Sequence, residues 1–235
     1  MNNQQFLQTI SRSFKVFLVA GSRSPKKLKV LHKEIAVDIQ NRLGNDYTVR
    51  SYGIGDGTEG TIRGRYMEKR VDILIYNNNK ELGAVGIKFV MNNYSQNSNN
   101  YFENMLGETA NIRASNKNYF QILILPDRVP YYNKNGKINR WEEVSGHNID
   151  KYIALSNDDE KVYMHTPIKT LLFVMKFPPC NNNISTRSKY NKFYLGLPII
   201  EIKTSDNVAG NFEKAVILND YDNFIEKVVH NIKSI

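Results

Sequence analysis

Apolar residues recur with a helical period in several parts of the chain. In residues 25–43 they return every three or four positions, which predicts a helix that begins at Pro25. Helices are also predicted for residues 101–113 and 220–233. The apolar run at residues 14–20 is too short to decide between a buried strand and the end of a helix.

Shorter apolar runs predict strands. Residues 71–76 and 82–90 are joined by the polar loop NNNKE, which is typical of a β-hairpin. Alternation of side chains then puts Asp72 and Lys88 on the same face, near the same end of the two strands. Matching the apolar faces requires a bulge or an odd-numbered loop at the turn. Further strands are predicted at residues 47–54, 119–125 and 197–204, and residues 170–177 are expected to be an element of the core.

The order strand, strand, helix, strand over residues 71–125 predicts an α/β (α+β) fold with a mixed central β-sheet flanked by helices. No repeat or clear linker divides the chain, so we interpret residues 1–235 as one domain with its core near residues 55–126. The C-terminal half is less regular. We expect residues 126–151 to form an insertion or long loops, and residues 178–192 to form an exposed basic loop.

The charge balance narrows the class of partner. Among 235 residues, 32 are Lys or Arg and 23 are Asp or Glu, which gives a formal net charge of +9. This excess favours an anionic partner, most commonly nucleic acid, although a merely basic surface is the alternative. We expect no membrane segment, because the longest apolar runs are far shorter than the roughly 20 residues of a membrane helix.

The cysteine content and the first residues indicate the compartment. Cys180 is the single cysteine of the sequence, which excludes an intrachain disulfide and a cysteine-based zinc site. The first residues lack the basic start and the apolar stretch of a secretory signal. We therefore expect a cytoplasmic protein.

Asp72, the hairpin, Lys88 on the facing strand and the acidic helix after it form a pattern that resembles the PD-(D/E)xK nucleases, and among them the type II restriction endonucleases. The resemblance covers about residues 55–126. It implies a bacterial Mg²⁺-dependent hydrolase of restriction–modification type, which cuts double-stranded DNA at a specific sequence as a homodimer. Such hydrolysis uses a metal to offset phosphate charge and to activate water, and Mg²⁺ favours carboxylate oxygens.

The resemblance also implies roles for single residues. Asp72 matches the first metal-binding acid, and Lys88 matches the lysine that orients or deprotonates the attacking water. The backbone carbonyl of Ile87 would be a further metal ligand. Glu59 is a supporting catalytic candidate, because an acid before the Asp strand often faces the metal in this fold. A helix N-terminal charge or a solvated loop is the alternative for Glu59.

One position departs from the family pattern. The second acid should stand two residues before the lysine, where this chain has Gly86. Three explanations are open: the acid has migrated to the following helix, the protein is a catalytically inactive sequence-specific DNA-binding protein, or the motif is misread. In the first case Glu103, 15 residues after Lys88, is the predicted catalytic and metal-binding acid, and Glu108 is the second choice.

A second motif competes with the first. Glu201, Ile202 and Lys203 form an E-x-K triplet, but no aspartate lies upstream within hairpin reach, and an alternating strand produces such a triplet by chance. If the triplet were the site, Asp72 would be only structural. A basic α/β protein that binds RNA or a nucleotide is a further alternative. No metal-site spacing is apparent among the histidines, His32, His147, His165 and His230.

Polar and basic side chains around the motif are candidates for DNA contacts. Asn and Gln can pair with adenine through two hydrogen bonds, and Arg and Lys contact phosphates. A solvated surface is the alternative for each residue taken singly. Two of the arginines lie in the glycine-rich residues 53–70, which we expect to be a loop. The candidates are Arg63, Arg65, Asn93, Gln96, Asn97, Asn100, Arg113 and Lys117.

Overall fold

The structure is a computed structural model that describes residues 1–21, 26–54, 56–144, 146–180, 183–208 and 210–235. The helices of the described residues are α1 (Asn3–Ala20), α2 (Lys26–Leu43), α3 (Tyr94–Arg113), α4 (Gly146–Ser156), α5 (Arg187–Leu195) and α6 (Tyr221–Lys233). The strands of the described residues are β1 (Tyr47–Ser51), β2 (Gly60–Arg63), β3 (Glu68–Val71), β4 (Ile73–Asn77), β5 (Lys80–Phe89), β6 (Asn118–Pro126), β7 (Arg128–Tyr132), β8 (Ile138–Glu143), β9 (Lys169–Lys176), β10 (Lys203–Thr204) and β11 (Val216–Leu218).

A mixed central sheet flanked by helices confirms the predicted fold class. Its strands follow the order β1-β4-β5-β6-β9-β10, and β11 also pairs with β9. The pairs β1–β4 and β4–β5 are antiparallel, whereas the pairs β5–β6 and β6–β9 are parallel. The parallel strands are buried on both faces, which explains why β6 and β9 are continuous apolar runs in the sequence.

The predicted hairpin of β4 and β5 is confirmed. Ile73 pairs with Val85, and the register shifts between Ile75 and Tyr76, which is the irregularity that the alternation of side chains required. Ile73 and Ile75 face the apolar core under α1, α2 and α6, whereas Leu74 faces a second core under α3. Both faces of the hairpin are therefore covered.

The helical predictions differ in how far they hold. α2 and α6 match the predictions, although Pro25 lies outside the described residues. The run at residues 14–20 is the end of α1, whose polar first half gave no helical prediction. α3 begins at Tyr94, seven residues before the predicted start at 101. Within the part of the chain that the structure describes, none of the helices has the length and apolar composition needed to cross a bilayer.

Four segments correct the sequence predictions. The predicted loop at residues 53–70 instead contains β2 and most of β3, which form a hairpin whose outer face is polar, and Gly55 lies outside the described residues. Residues 126–151 contain the β7–β8 hairpin, and residues 178–192 include the start of α5. Residues 197–204 form a strand only at Lys203–Thr204, because α1 side chains bind the carbonyl oxygens of the preceding residues instead of a neighbouring strand.

We expect Phe6→Ala to lower the free energy of unfolding by about 3–5 kcal/mol, because it opens a cavity in a close-packed core. The Phe6 ring is fully buried on α1, 4.1 Å from the Tyr221 ring centroid and 4.9 Å from that of Phe173. Chemical denaturation measures the change. Val19→Ala on the exposed side of α1 is the control, and a loss below about 1 kcal/mol for Phe6→Ala would contradict this packing.

Candidate metal centre

The β2–β3 hairpin brings two carboxylates together. Gly60 pairs with Val71, so Glu59 and Asp72, the residues just outside the pair, lie side by side at the base of the hairpin. The Ser51 hydroxyl on β1 donates to the Asp72 carbonyl oxygen at 2.6 Å and fixes the chain there. Two acids that are distant in the sequence thus become neighbours.

Asp72 is held against β5 through its side chain. The Ile87 N–H donates to Asp72 Oδ2 at 2.7 Å. Burial raises the pKa of the Asp72 carboxyl to about 6, and the Ile87 hydrogen bond opposes that rise. The Glu108 charge raises the same pKa, while the amines of Lys88 and Lys69 lower it. Charged side chains from β3, β5 and α3 therefore all act on the Asp72 carboxyl.

His32 is a functional candidate that sequence reasoning missed. Its side chain is fully buried on α2, with Nδ1 3.7 Å from Asp72 Oδ1. Neither ring nitrogen has a hydrogen-bond partner among the described residues, which is unusual for a buried polar group. Burial lowers the pKa of His32 to about 4, so the imidazole is neutral at pH 7, the form that binds metal ions.

The signal for His32 was present in the helix pattern. It lies four residues after Leu28 and three before Ile35, within the apolar stripe that predicted α2. A histidine in a buried stripe needs a partner, and the sequence contains no neighbour that could supply one. Only the packing of α2 against the base of the hairpin provides Asp72.

His32, Glu59 and Asp72 can together hold a metal ion. One ligand atom from each lies within 4.8 Å of the others. Burial and the Asp72 charge raise the pKa of Glu59, and Arg70 opposes the rise. Two carboxylates pressed together beside a neutral imidazole that lacks a partner fit a cation well, because a cation would satisfy all three groups at once.

Lys88 and Glu108 lie near enough to Asp72 for their charges to act on its carboxyl. Partial burial lowers the pKa of the Lys88 amine, and the carboxylates of Asp72 and Glu108 oppose that shift. Glu108 Oε1 forms an ion pair with Lys69 Nζ at 2.5 Å, and its Oε2 accepts a hydrogen bond from the Tyr119 hydroxyl at 3.1 Å. The charge of Glu108 therefore acts on both residues of the sequence motif, Asp72 and Lys88.

Glu103, the first choice for the second acid, is placed elsewhere. Its side chain is exposed, and its charge acts on Lys151 of α4. Five residues separate it from Glu108, so at about 100° per residue the two side chains leave α3 in different directions. The geometry thus favours Glu108 over Glu103 as the partner of Asp72.

The packing around Gly86 explains the departure from the family pattern. A Cβ atom at this position would lie 2.2 Å from the Tyr119 hydroxyl and 2.8 Å from Gln121 Oε1. Tyr119 therefore fills the space in which a side chain at position 86 would stand. The same hydroxyl binds Glu108 of α3, so a carboxylate from another element lies next to this space.

Several predicted DNA-binding side chains have partners within the protein. The Asn93 amide binds the backbone of Tyr132 through both its oxygen and its nitrogen. The Arg113 guanidinium donates to the carbonyl oxygens of the loop at residues 160–166. Lys117 forms an ion pair with Glu81 at 2.5 Å. These contacts engage all three side chains within the fold, so a DNA contact by any of them would compete with a partner that it already has.

The remaining candidates divide into two places. Arg63 and Arg65 are exposed at the tip of the β2–β3 hairpin, the end away from the carboxylates. Gln96 and Asn100 are exposed in the first turns of α3. Asn97 is half-buried, and its amide reaches the Asn93 carbonyl at 3.5 Å, which is a weak local contact.

The competing E-x-K triplet lies at the far edge of the sheet. Glu201 and Lys203 are exposed and form a surface ion pair at 3.4 Å. Such a pair contributes little to stability, and the two residues lie outside the group formed by His32, Glu59 and Asp72. An alternating edge segment accounts for the triplet.

Comparisons of the chain with models of known protein families, with curated proteins and with solved structures give no match. The arrangement of the site residues is therefore what supports a function for this chain.

We expect Gly86→Ala to lower the free energy of unfolding by about 1–3 kcal/mol, because the new methyl group overpacks against Tyr119. Adding Tyr119→Phe should recover part of the loss, since the hydroxyl is the closest atom. In the control Gly107→Ala on α3, the added Cβ meets no atom of the described residues within 4 Å. An equal response of the two glycines in chemical denaturation would contradict this explanation.

We expect Mn²⁺ to raise the melting temperature of the protein, because an ion that binds only the folded state stabilises it. At 100 times its dissociation constant the gain is about 2.7 kcal/mol. Asp72→Asn and His32→Phe should each remove most of the shift, whereas Glu226→Gln, an exposed acid on α6, should retain it. A shift that is unchanged in Asp72→Asn would exclude this group as the binding site.

Proposed function

We propose that the chain is a Mg²⁺-dependent restriction endonuclease of type II that hydrolyses phosphodiester bonds in double-stranded DNA. Its site would be of PD-(D/E)xK type, with Asp72 as the first acid, Lys88 as the lysine and Glu108 of α3 in place of the second acid. The supporting observation is that Lys88 of β5 and Glu108 of α3 both lie near enough to Asp72 for their charges to act on its carboxyl, beside a group that can hold a cation.

The oxygen ligands for Mg²⁺ would come from Asp72, Glu59 and the Ile87 carbonyl. In a strand, the N–H and the carbonyl of one residue point to the same side, so the Ile87 carbonyl faces the side on which its N–H binds Asp72. The chemistry that Mg²⁺ supplies when bound is polarisation of the phosphate and activation of water. His32 would extend the choice of ion to Mn²⁺, because imidazole suits transition metals better than it suits Mg²⁺.

Lys88 would stabilise the charge that develops on the phosphate and would orient the attacking water. The amine lies over the Tyr101 ring, 4.1 Å from its centroid, and this cation–π contact limits where it can move. Glu108 is likewise held in place, by Lys69 and by the Tyr119 hydroxyl. The groups that would act on the substrate are therefore preorganised.

Two further features belong to this proposal. The net charge of +9 suits a polyanionic substrate and steers it toward the protein. A homodimer in the bacterial cytoplasm would place two such sites on the two strands of a palindromic sequence, because two-fold symmetry of the protein matches that of the DNA.

A second candidate function is sequence-specific DNA binding without cleavage. The observation that favours it is the state of Glu108, whose two oxygens are occupied by Lys69 and Tyr119. Position 86 cannot supply a carboxylate in its place, because Tyr119 fills that space. On this alternative the scaffold keeps the DNA surface, and hydrolysis is lost.

A cleavage assay separates the two functions. We expect unmodified phage DNA to give discrete fragments with Mg²⁺, and none with Ca²⁺ or EDTA. Asp72→Asn, Lys88→Ala and Glu108→Gln should each lower the rate at least about 100-fold, as is typical for loss of one charged catalytic group. Glu103→Gln should stay within about twofold of the wild-type rate, because no reacting group is near it in this geometry.

The opposite outcomes are informative. A Ca²⁺-supported mobility shift of duplex DNA without cleavage in Mg²⁺ would establish the non-cleaving alternative. Full activity of Asp72→Asn would contradict the assignment of the site. Loss of activity in Glu103→Gln with retention in Glu108→Gln would restore the first choice made from the sequence.

A further inference from the structure

The β2–β3 hairpin (residues 60–71) has its base at the metal centre and its tip in solvent. Glu59 and Asp72 flank the base, and the turn of residues 64–67 forms the tip. Each strand has four residues, so at about 3.3 Å per residue the tip lies roughly 13 Å from the base. Any large ligand whose reacting group reaches Asp72 must therefore pass close to this hairpin.

The tip exposes two large side chains that are usually buried. Tyr66 is 77% exposed and Met67 is 64% exposed. The guanidinium carbon of Arg65 lies 5.8 Å from the centroid of the Tyr66 ring, so a cation flanks the aromatic side chain. Adjacent exposed aromatic and apolar side chains beside a functional site indicate a binding surface.

The backbone of the tip is held firmly. Asn111 is buried on α3, and its Oδ1 accepts the N–H groups of Tyr66 at 2.9 Å and Met67 at 3.3 Å. Its Nδ2 donates to the Met67 carbonyl at 3.0 Å. Gly64 allows this contact, since a Cβ there would lie 2.2 Å from Asn111 Nδ2. The exposed side chains are thus presented in a fixed position, which lowers the entropy that binding would remove.

The charges of the hairpin identify the chemistry of its partner. Arg63 and Arg70 lie on the exposed face together with Glu68, and Arg65 lies at the tip. Lys69 points the other way and pairs with Glu108. Three arginines against one glutamate, around a protruding aromatic ring, fit duplex DNA, whose phosphates attract the arginines and whose base steps accept an inserted aromatic side chain.

We propose that the β2–β3 hairpin enters a groove of duplex DNA, with Tyr66 and Met67 against the bases and Arg63, Arg65 and Arg70 on the phosphates. The inference rests on the proposed function and extends it, because it assigns DNA contact to a segment outside the catalytic group. Apolar and aromatic side chains inserted next to bases are a known means of gripping a duplex, and arginines position the element that carries them.

The test is a mobility shift of sheared, unmodified phage DNA in Ca²⁺ with the full-length protein. We expect Tyr66→Ala to weaken binding about tenfold, in the range seen when an aromatic side chain that stacks on a base is removed. Tyr66→Phe should bind as the wild type does, because it keeps the ring. Ile199→Ala is the matched control, since Ile199 is 76% exposed but lies at the far edge of the sheet.

The salt dependence of DNA binding distinguishes the contribution of the Tyr66 ring from that of the Arg65 charge. Tyr66→Ala should leave the slope of log K against log salt concentration unchanged, whereas Arg65→Gln should reduce its magnitude by about one. All of these substitutions are at exposed positions, and thermal unfolding checks that each variant folds. Competition with RNA duplexes of the same length tests whether the surface prefers DNA.

The hairpin and the nuclease can fail independently. If Tyr66→Ala binds DNA as tightly as Ile199→Ala does, the hairpin inference is wrong, and cleavage by the wild type still supports the proposed function. If the wild type binds but does not cut, the nuclease proposal fails, and the Tyr66 comparison still decides the role of the hairpin. Tighter binding of RNA than of DNA, or no binding of duplex DNA, would overturn both.

Discussion

The hydrogen bond from the Ile87 N–H to the Asp72 carboxylate links the sheet to the candidate site. β4 begins at Ile73, which pairs with Val85 of β5, so β4 does not extend as far as Ile87. The Ile87 N–H therefore binds the Asp72 side chain and not the backbone of β4. A buried N–H needs such a partner, and this requirement fixes one carboxylate oxygen beside β5. His32, Glu59, Lys88 and Glu108 are all arranged around that fixed carboxylate.

Tyr119 decides where the second carboxylate can come from. Its ring fills the space next to Gly86, so an acid at that position is excluded by sterics. Its hydroxyl then binds one oxygen of Glu108, and Lys69 of β3 forms an ion pair with the other oxygen. One aromatic side chain thus excludes the acid that the family pattern expects and holds another one near Asp72.

The β2–β3 hairpin carries residues of both proposed sites, the metal centre at its base and the DNA-binding surface at its tip. Its base brings Glu59 to Asp72, and its tip presents Tyr66 at a distance set by four residues of strand. Because Asn111 fixes the tip through α3, and α3 also carries Glu108, one helix positions both ends of the proposed DNA surface. We therefore expect substitutions to separate the proposed DNA binding from the proposed cleavage, although the two would share the same scaffold.

The sequence by itself determined the features that depend on local periodicity. The β4–β5 hairpin with its bulge and the helices α2 and α6 follow from alternation and helical spacing, because burial of side chains imposes these periods. Only the tertiary structure decided that His32 meets Asp72 and that Glu108, not Glu103, faces it. These contacts depend on how α2 and α3 pack against the sheet, and a few degrees of helix rotation are not encoded in any local pattern. The β2–β3 hairpin escaped prediction for the same reason: its strands are short and their outer face is polar, so their pairing is stabilised by the core beneath Ile62 and by Asn111 and not by their own sequence.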